Sequence, residues 1–378
     1  MSRSGRVFLL SLAALLLLSC TQAGAAGQPA GSVKETAKPI WTLAMNGPRI
    51  AYSSAGRIYV WNVATGATSV VKGEYSNGAH TANAAEIAIA GKRVAWIKRT
   101  QLGNTEQPQR LYTATIGGSA HRLRAVLGYT NTDCGSGGPQ ISGLVGVGKR
   151  LAVSMWRWTY DGTTASHRRL ALITSAGLRV IATGPNAVES AAADGSHIAV
   201  VPLATGVMGP DYCEVTPSTT VGIYSTTGAL LGRVSTGPRG EIALGGKRLV
   251  ALTGSETPGL AVYDWTTGAL VHTWPVVGAA TKAGPHQPAH VQVSGHLAVY
   301  SVYTKYVGGG EKLHLLDLDT GDDVQIATAK GYGDLRAWAV GSRGLVYVVN
   351  YGWDKAAGGP AQGRLVFVPM AKLLAAEG

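Results

Sequence analysis

Short runs of alternating apolar and polar residues, separated by turn signals, recur along most of the chain. Alternation with a period of two predicts β-strands that are buried on one face. One sequence motif, a strand that ends in a Thr-Gly turn, occurs at residues 57–66, 221–228, 259–268 and 312–321. Because a phrase that recurs along a chain is the signature of a repeat architecture, these copies predict a fold built from one β unit.

A second repeated signal lies close after a turn glycine and marks the start of another strand in each unit. Its commonest form, Gly-Lys-Arg, occurs at 91–93, 148–150 and 246–248. The seven anchor residues are 44 to 57 residues apart, a period typical of four-stranded propeller blades. We therefore predict an all-β fold, a β-propeller of seven four-stranded blades, although the degenerate edge units leave six or eight blades as alternatives. The anchors are Arg49, Arg93, Arg150, His197, Arg248, His296 and Arg343.

The last unit contains only three predicted strands, at 335–340, 344–350 and 364–370, before a short helical tail. A ring whose last blade lacks its outer strand exposes an unpaired strand edge at the seam. We expect the segment 32–37, near the N-terminus, to supply the missing strand and to close the ring.

Composition and charge narrow the class of protein. Glycine provides 52 of 378 residues and charged residues only 14%, which favours many turns over long amphipathic helices. The formal net charge is +12, but no run of five or more basic residues occurs. Because the basic residues are spread singly over the turns, we expect no nucleic-acid partner.

The N-terminus has the features of an export signal. Arg3 and Arg6 precede an apolar stretch, residues 7–18, that is too short for a stable membrane anchor. The sequence LLSC at 17–20 resembles a bacterial lipobox, which implies that Cys20 is lipidated and becomes the mature N-terminus. Ordinary cleavage after an Ala-Gly-Ala site is the alternative.

These signals divide the chain into a signal peptide at 1–19, a flexible tether at 20–39 and a single propeller domain at 40–374. We expect an exported lipoprotein of the cell envelope, or a secreted or periplasmic soluble protein if cleavage is ordinary. We also expect a monomer that contacts the membrane through its lipid anchor only.

Two cysteines remain besides Cys20. Cys134 lies in the predicted connection between units two and three, and Cys213 in a long loop of unit four. Both connections belong to the same face of the ring, in an export compartment that permits disulfides. We therefore predict a Cys134–Cys213 disulfide.

Loop length divides the two faces of the predicted ring. With the strands of a blade lettered a to d from the axis outward, the a–b and c–d turns are tight, whereas the b–c and several d–a loops are long. Long loops on a rigid ring are where binding residues usually lie, although some of their aromatic residues can instead cap the blade cores. The predicted binding face consists of Tyr129, Asp133, Trp156, Trp158, Tyr160, Asp161, Asp211, Tyr212, His286, His290, Tyr303, Tyr306, Asp334 and Trp353.

Three segments have the outline of chemical motifs. Residues 143–150 approach a phosphate-binding loop, but Arg150 stands where a Ser or Thr would bind Mg²⁺. The segment 134–139 has a glycine-rich serine without the matching His and Asp context. In HQPAH, at 286–290, the proline prevents the helix face that would align two histidine ligands. We assign no catalytic residue, no metal and no cofactor.

Two phrases resemble known propeller families. YDWTTG at 263–268 and DLDTG at 317–321 are similar to blades of TolB-like, WD-like and quinoprotein-like bacterial propellers. Asp264, Gly268 and Trp274 are similar to the docking motif of the quinoprotein type, but only this unit carries the motif well, so no quinone cofactor is implied. The resemblance implies an envelope-associated role in protein interaction and transfers no catalytic residue.

Together these patterns predict an exported, lipid-anchored propeller that acts as a protein- or glycan-binding or scaffolding module of the cell envelope. The alternative is a hydrolase or lyase with its site at the propeller axis on the long-loop face. The repeats build the ring, and the variable loops are expected to carry the function.

Overall fold

The computed structural model describes residues 31–375 except for 74–83, 101–105, 132–134, 159–164, 184–187, 203–204, 209–212, 217–218, 238, 254–258, 277–279, 282–283, 286–287, 304–310, 329–336 and 356–358. Only the backbone is described at 129–131, 135–137, 158, 165, 188–190, 202, 205–208, 213–216, 239–240, 280–281, 284–285, 288–289, 303, 311 and 353.

Nearly all regular structure in this part of the chain is β-strand, with one short helix at the end. The first strands are β1 (Ser32–Thr36), β2 (Ile40–Asn46), β3 (Arg49–Ser54), β4 (Arg57–Asn62), β5 (Thr68–Val70), β6 (Ala84–Ala90), β7 (Arg93–Arg99), β8 (Glu106–Thr115), β9 (His121–Asn131), β10 (Gly135–Val147), β11 (Arg150–Trp158), β12 (Ala165–Thr174) and β13 (Gly177–Thr183). The next are β14 (Val188–Ala193), β15 (His197–Pro202), β16 (Thr205–Met208), β17 (Cys213–Thr216), β18 (Thr220–Ser225), β19 (Leu230–Ser235), β20 (Arg239–Gly245), β21 (Arg248–Thr253), β22 (Gly259–Asp264) and β23 (Ala269–Pro275). The last are β24 (Ala280–Thr281), β25 (Gly284–Pro285), β26 (Pro288–Ser294), β27 (Leu297–Tyr303), β28 (Glu311–Asp317), β29 (Asp323–Thr328), β30 (Trp338–Gly341), β31 (Gly344–Asp354), β32 (Gly359–Pro369) and the helix α1 (Met370–Leu374).

The strands form seven four-stranded antiparallel blades, which confirms the predicted β-propeller. From the axis outward, blades 1 to 3 are β2-β3-β4-β5, β6-β7-β8-β9 and β10-β11-β12-β13. Blades 4 to 7 are β14-β15-β18-β19, β20-β21-β22-β23, β26-β27-β28-β29 and β30-β31-β32-β1. The apolar cores lie largely between neighbouring blades, where side chains of adjacent sheets pack face to face.

The N-terminal strand β1 closes the ring, as the missing outer strand of the last unit predicted. It pairs antiparallel with β32, from Ser32 opposite Phe367 to Thr36 opposite Gly363. The strand therefore begins inside the segment assigned to the tether. Since the outer strand of blade 7 comes from the start of the chain and the other three from its end, the closure joins the two termini in one sheet.

The a–b and c–d turns lie on the same face, which we call the turn face. In five blades a backbone N–H just after strand c donates to a carbonyl of the a–b turn. The bonds are Val63 to Pro48, Ile116 to Lys92, Trp265 to Lys247, Leu318 to His296 and Met370 to Arg343, with N···O distances of 2.8–3.1 Å. The b–c and d–a connections consequently share the opposite face, the loop face.

The repeated anchor residues connect neighbouring blades at the turn face. The guanidinium of Arg49 donates to the Gly91 carbonyl of blade 2 at 3.2 Å, and that of Arg248 to the Gly295 carbonyl of blade 6 at 3.4 Å. Arg248 also pairs with Asp319. The arginine that marks the repeat in the sequence therefore forms a contact between neighbouring repeats.

Trp274, in the stretch that resembles a docking motif, packs on the next blade. Its indole N–H donates to the Leu318 carbonyl at 3.3 Å. A Cβ at Gly321, where φ is +84°, would lie 2.2 Å from the indole ring. Glycine is required at this turn both for its backbone conformation and for the space that the indole occupies.

Several connections predicted as long loops are strands that continue beyond the blade. β9 and β10 pair from Asn131 opposite Gly135, which joins blades 2 and 3 in one eight-stranded sheet. β31 and β32 pair as far as Asp354 opposite Gly359. Blade 4 carries an additional hairpin, β16–β17, between its second and third strands. Among the described residues, no helix is long and apolar enough to cross a membrane.

Candidate functional site: a cup at the propeller axis

A cavity of about 410 Å³ lies at the axis of the ring. All seven innermost strands, β2, β6, β10, β14, β20, β26 and β30, contribute to its wall. Its volume is in the range of sites for small molecules or for a single inserted side chain or sugar ring.

Blades 1, 2 and 3 contact one another at the turn-face end of the cavity. Asn46 of blade 1 accepts a hydrogen bond from the Gly91 N–H of blade 2 at 3.1 Å and donates to the Gly148 carbonyl of blade 3 at 3.3 Å. A Cβ at Gly146 of blade 3 would lie 2.4 Å from the Ile89 carbonyl oxygen of blade 2. Because these contacts hold the turns close together, we infer that the cavity opens on the loop face, and we call it a cup.

The wall of the cup has a polar backbone component. Apart from the start of β10, which pairs with β9, the innermost strands have no neighbouring strand on their inner edge, and such an edge carries N–H and C=O groups. Gln292 of blade 6 uses this edge, because its side chain accepts from the Val340 N–H at 3.1 Å and donates to the Trp338 carbonyl at 3.2 Å. Polar side chains of one blade thus satisfy backbone groups of the next.

The side-chain chemistry of the cup centres on Glu241 and His290. Glu241 Oε1 lies 2.6 Å from His290 Nδ1, and Glu241 Oε2 accepts from the Val291 N–H at 3.3 Å. Both side chains are about two-fifths exposed. They stand at the starts of neighbouring inner strands, on the loop-face half of the cup. A carboxylate that orients an imidazole in a partly enclosed site is an arrangement used for proton transfer and for polar recognition.

Glu86 occupies the equivalent position in blade 2. One carboxylate oxygen pairs with Arg99 at 2.8 Å, and the other accepts from the Leu144 N–H of blade 3 at 2.9 Å. Glu86 is therefore committed to a contact between blades. Glu241 repeats the backbone contact but pairs with a histidine that itself lines the cup, which makes blade 5 the chemically distinct position.

Among the described residues that line the cup, the ionisable side chains are Glu86, Glu241 and His290, and none is Lys or Arg. Trp41, on the same half of the cup, is 43% exposed. The opening thus combines carboxylates with an accessible aromatic ring in a chain whose net charge is positive. Exposed tryptophan beside polar groups is typical of contact sites.

Many predicted binding-face residues lie outside the described residues, and their assignment stays a prediction. These are Asp133, Tyr160, Asp161, Asp211, Tyr212, His286, Tyr306 and Asp334. Cys20 and Cys134 also lie outside them. Cys213 lies in β17 on the loop face with only its backbone described, so the disulfide stays a prediction.

The other predicted binding-face residues are not in loops, which corrects their placement. Tyr129, Trp158, Tyr303 and Trp353 are strand residues of β9, β11, β27 and β31. Trp156 lies in β11 and is only 7% exposed, so its ring belongs to the blade rather than to the surface. Strand pairing continues past the blades here, and this continuation accounts for the difference. His290 alone of the predicted set is described at the cup.

Other arrangements that resemble catalytic sites have different roles. Asp194, Ser196 and His197 lie together, but both the carboxylate and the hydroxyl approach the same imidazole nitrogen, Nδ1, at 3.1 Å. A hydrolytic triad needs the serine on the other nitrogen. The phosphate-loop-like segment is β10 and its turn into β11. The described residues contain no group of three or more His, Cys, Asp or Glu that could hold a metal ion.

Blade 6 contains a buried polar cluster that the sequence analysis missed. His314 Nδ1 lies 2.7 Å from Asp323 Oδ1, and the Tyr300 hydroxyl donates to the other carboxylate oxygen. The Tyr300 and His314 rings stack at 5.1 Å. Equivalent stacked pairs, Tyr52–Tyr59 and Trp96–Tyr112, join strands b and c of blades 1 and 2. The cluster is therefore an elaboration of a repeated structural contact.

The fold and site define the protein as a seven-bladed β-propeller with an axial cup. No family model matches the chain, and no curated protein matches it. Solved structures do match. The structure of U3-55K has a TM-score of 0.52 at 14% identity and covers 90% of this chain and 100% of that one.

Two further similar structures come from archaea. The β-propeller domain of the Trilobed protease from Pyrococcus furiosus, described as having an open velcro topology, has a TM-score of 0.50 at 13% identity and covers 83% of this chain and 91% of that one. The acylaminoacyl peptidase of Pyrococcus horikoshii has a TM-score of 0.50 at 15% identity, covering 83% of this chain and 49% of that one. The predicted architecture-level resemblance to known propellers is confirmed, and at these identities the likeness concerns the fold alone.

Proposed function

We propose that the protein is an exported, lipid-anchored binding module whose loop face holds a protein or glycan partner. A protruding group of that partner, such as a side chain or a sugar ring, enters the axial cup. The coarser part of this statement, a propeller that binds or scaffolds, is what its propeller neighbours suggest.

One observation carries the proposal: the cup opens on the face where the chain elaborates the repeat. The turn face consists of short turns tied to each other by backbone hydrogen bonds. On the loop face, β9–β10, β16–β17 and β31–β32 extend beyond the blades as hairpins. Structure added to one side of a rigid ring, around a concave site with few polar groups, is typical of a binding surface.

Export and anchoring rest on the N-terminal sequence. The basic residues, the apolar stretch and Cys20 support a lipoprotein signal. Strand β1 begins twelve residues after Cys20. The chain between them would attach the outer strand of blade 7 to the membrane through a short tether.

The direct test is capture of the partner by the full chain with a C-terminal tag from an envelope extract. A cup variant, Trp41→Ala with His290→Ala, should capture about tenfold less partner than the wild type, because contacts at the centre of an interface contribute most of the binding energy. A turn-face control, Lys149→Ala with Lys247→Ala, removes two exposed side chains on the other side and should capture as wild type does. Equal capture by all three proteins would refute binding at the loop face.

Treatment of the extract distinguishes the two kinds of partner. Protease digestion should abolish capture of a protein, and periodate oxidation should abolish capture of a glycan. If neither treatment has an effect, the captured material belongs to neither class and the proposal is wrong.

A hydrolase or lyase acting in the cup is the second candidate, and the Glu241–His290 pair is the observation that favours it. The carboxylate would orient the imidazole, which would move a proton to or from the bound group. In this case the captured partner should be converted to smaller products over time. His290→Ala should stop the conversion, whereas Lys247→Ala should not.

A further inference from the structure

The outer strands of four consecutive blades share an unusual composition. These strands, β9, β13, β19 and β23, form the outside of blades 2 to 5. Together they contain no Asp and no Glu, although they contain four arginines and two histidines. We call this arc the basic–apolar rim.

Each strand of the rim places an exposed aliphatic residue within three positions of an exposed basic one. The pairs are Leu127 with Arg124, Val180 with Arg179, Leu231 with Arg233 and Val271 with His272. In the part of the chain that the structure describes, none of the four arginines of the rim takes part in an ion pair. Their charges therefore face solvent.

The aliphatic exposure is greatest on blades 4 and 5. Leu230 and Leu231 are 42% and 47% exposed, and Leu270 and Val271 are 56% and 62% exposed. Leu230 and Leu270 occupy equivalent register positions, opposite Tyr224 and Tyr263 respectively. Two adjacent blades thus present a pair of exposed aliphatic side chains, Leu-Leu and Leu-Val, at equivalent register positions.

The remaining outer strands differ. β29 of blade 6 contains Asp323, β1 of blade 7 contains Glu35, and β5 of blade 1 has no charge at all. Apart from the end of β9, which pairs with β10, the outer strands are sheet edges, which proteins usually protect with charged residues. Edge protection alone does not explain why one arc is acid-free and carries exposed aliphatic pairs.

We propose that the outer strands of blades 4 and 5 bind the surface of an anionic lipid bilayer. Aliphatic side chains next to cationic ones suit this surface, because the former enter the boundary of the acyl chains while the latter pair with anionic headgroups. A dissolved anionic polymer would use the arginines but would gain nothing from Leu270 and Val271.

The proposed contact is limited to two neighbouring blades. Blades 4 and 5 carry four of the six exposed aliphatic residues of the rim. The arginines of blades 2 and 3 flank this contact and contribute long-range attraction, which salt weakens beyond about 10 Å at 0.1 M. The contact does not depend on acylation of Cys20.

The test reads the position of the rim directly in the full chain. In a Cys20→Ser background, Val271→Cys is labelled with the environment-sensitive fluorophore NBD, and the unsubstituted background is labelled in parallel to subtract any signal from other cysteines. Vesicles of phosphatidylglycerol and phosphatidylcholine in equal parts should shift the emission of position 271 to shorter wavelength and brighten it about twofold. Vesicles of phosphatidylcholine alone should give a much smaller response, because the cationic attraction is lost.

The matched control is Val70→Cys, an exposed valine on the outer strand of blade 1, whose label should stay in water. Replacing Arg122, Arg124, Arg179 and Arg233 by Gln should reduce the response at position 271 and its dependence on salt. Equal responses at positions 271 and 70, or equal responses to the two kinds of vesicle, would overturn the proposal. So would the same response to dextran sulfate, which would assign the rim to an anionic polymer.

Discussion

Three of the anchor residues, Arg49, Arg150 and Arg248, act between repeats. In blades 1 and 5 its guanidinium reaches a glycine carbonyl in the a–b turn of the next blade. In blade 3, Arg150 reaches the Thr226 carbonyl of blade 4 at 3.4 Å. An arginine side chain that donates to a turn of the next blade links two neighbouring blades at the turn face, where their backbones are not paired.

Arg248→Ala should lower the free energy of unfolding by about 1 kcal/mol, because it removes both the bond to Gly295 and the ion pair with Asp319 at a partly exposed site. Chemical denaturation followed by tryptophan fluorescence measures this. The matched control is Arg343→Ala, because the hydrogen bond between Arg343 and Met370 uses only the backbone carbonyl of Arg343. Equal losses for the two variants would contradict the bridging role.

The buried cluster of blade 6 gives a second expectation at the residue scale. Tyr300→Phe leaves one oxygen of the partly buried Asp323, whose side chain is 10% exposed, without its hydroxyl donor, and an unsatisfied buried group costs about 1–3 kcal/mol. Tyr52→Phe is the control, since its ring is stacked in the same way without a carboxylate partner in the described part of the chain. If thermal unfolding gives the same melting temperature for both variants, the cluster does not contribute to stability.

The Glu241–His290 pair shows why the site was only partly predictable. The sequence predicts His290 as a binding residue because it lies in a long connection, whereas Glu241 has the pattern of the start of an ordinary inner strand. The available signal was a carboxylate at the same place in two repeats, EIAIA at 86–90 and EIAL at 241–244. A charged residue at the start of an inner strand marks a position that faces the axis or another blade.

Among the elements, β1 depends on a small network at its exposed edge. Glu35 accepts from the Tyr351 hydroxyl and from Arg364 Nε, each at 2.6 Å, and the guanidinium lies over the Tyr351 ring at 5.3 Å. The Tyr351 hydroxyl and the Arg364 guanidinium hold the pKa of the Glu35 carboxyl below its ordinary value of 4.5. The network therefore favours the charged carboxylate in the closed ring.

This lowered pKa predicts how closure depends on pH. A folded-state pKa below the unfolded one contributes stability that is present above about pH 4.5 and is lost as the pH falls through the folded value. The melting temperature of Glu35→Gln should thus lie below that of the wild type at pH 7, and the gap should narrow to nothing in acid. A gap that is constant or widens as the pH falls would show that Glu35 does not act through its charge.

The inner strands must approach closely at the turn face, and Gly146 makes this possible. Gly146→Ala places a methyl group 2.4 Å from the Ile89 carbonyl oxygen, on backbone that cannot move without shifting a blade. We expect a loss of about 1–3 kcal/mol in urea denaturation. Gly195→Ala meets nothing within 4 Å and should change stability by less than about 0.5 kcal/mol. Similar effects at the two positions would mean that the ring is not tight there.

The regular elements were predictable because each repeat has the same order of strands and turns in its sequence. The strand β21 was placed at residues 248–253, and the closing role of 32–37 followed from counting three strands in the last unit. The hairpin extensions were not predictable, since the residues of β9–β10 that join blades 2 and 3 are rich in glycine and look like a loop. Whether these residues pair as strands depends on the segment that lies beside them in the fold, and the local sequence does not show which segment that is.

At the scale of the whole molecule, the two faces of the closed ring have different roles. The turn face is tied together by backbone and arginine bonds, which leaves the loop face free to vary. The cup opens on this variable face, and the rim carries a separate basic and apolar character. A rigid ring can thus present three distinct surfaces without changing its core.

The central claim is that the partner binds at the loop face with a group in the cup. Hydrogen–deuterium exchange of the full chain with and without the captured partner tests it most directly, because amides are protected where a partner excludes water. We predict added protection at the starts of β20 and β26 and in the β31–β32 hairpin, with the a–b turns unchanged. Added protection confined to the turn face or to the outer strands would contradict the account.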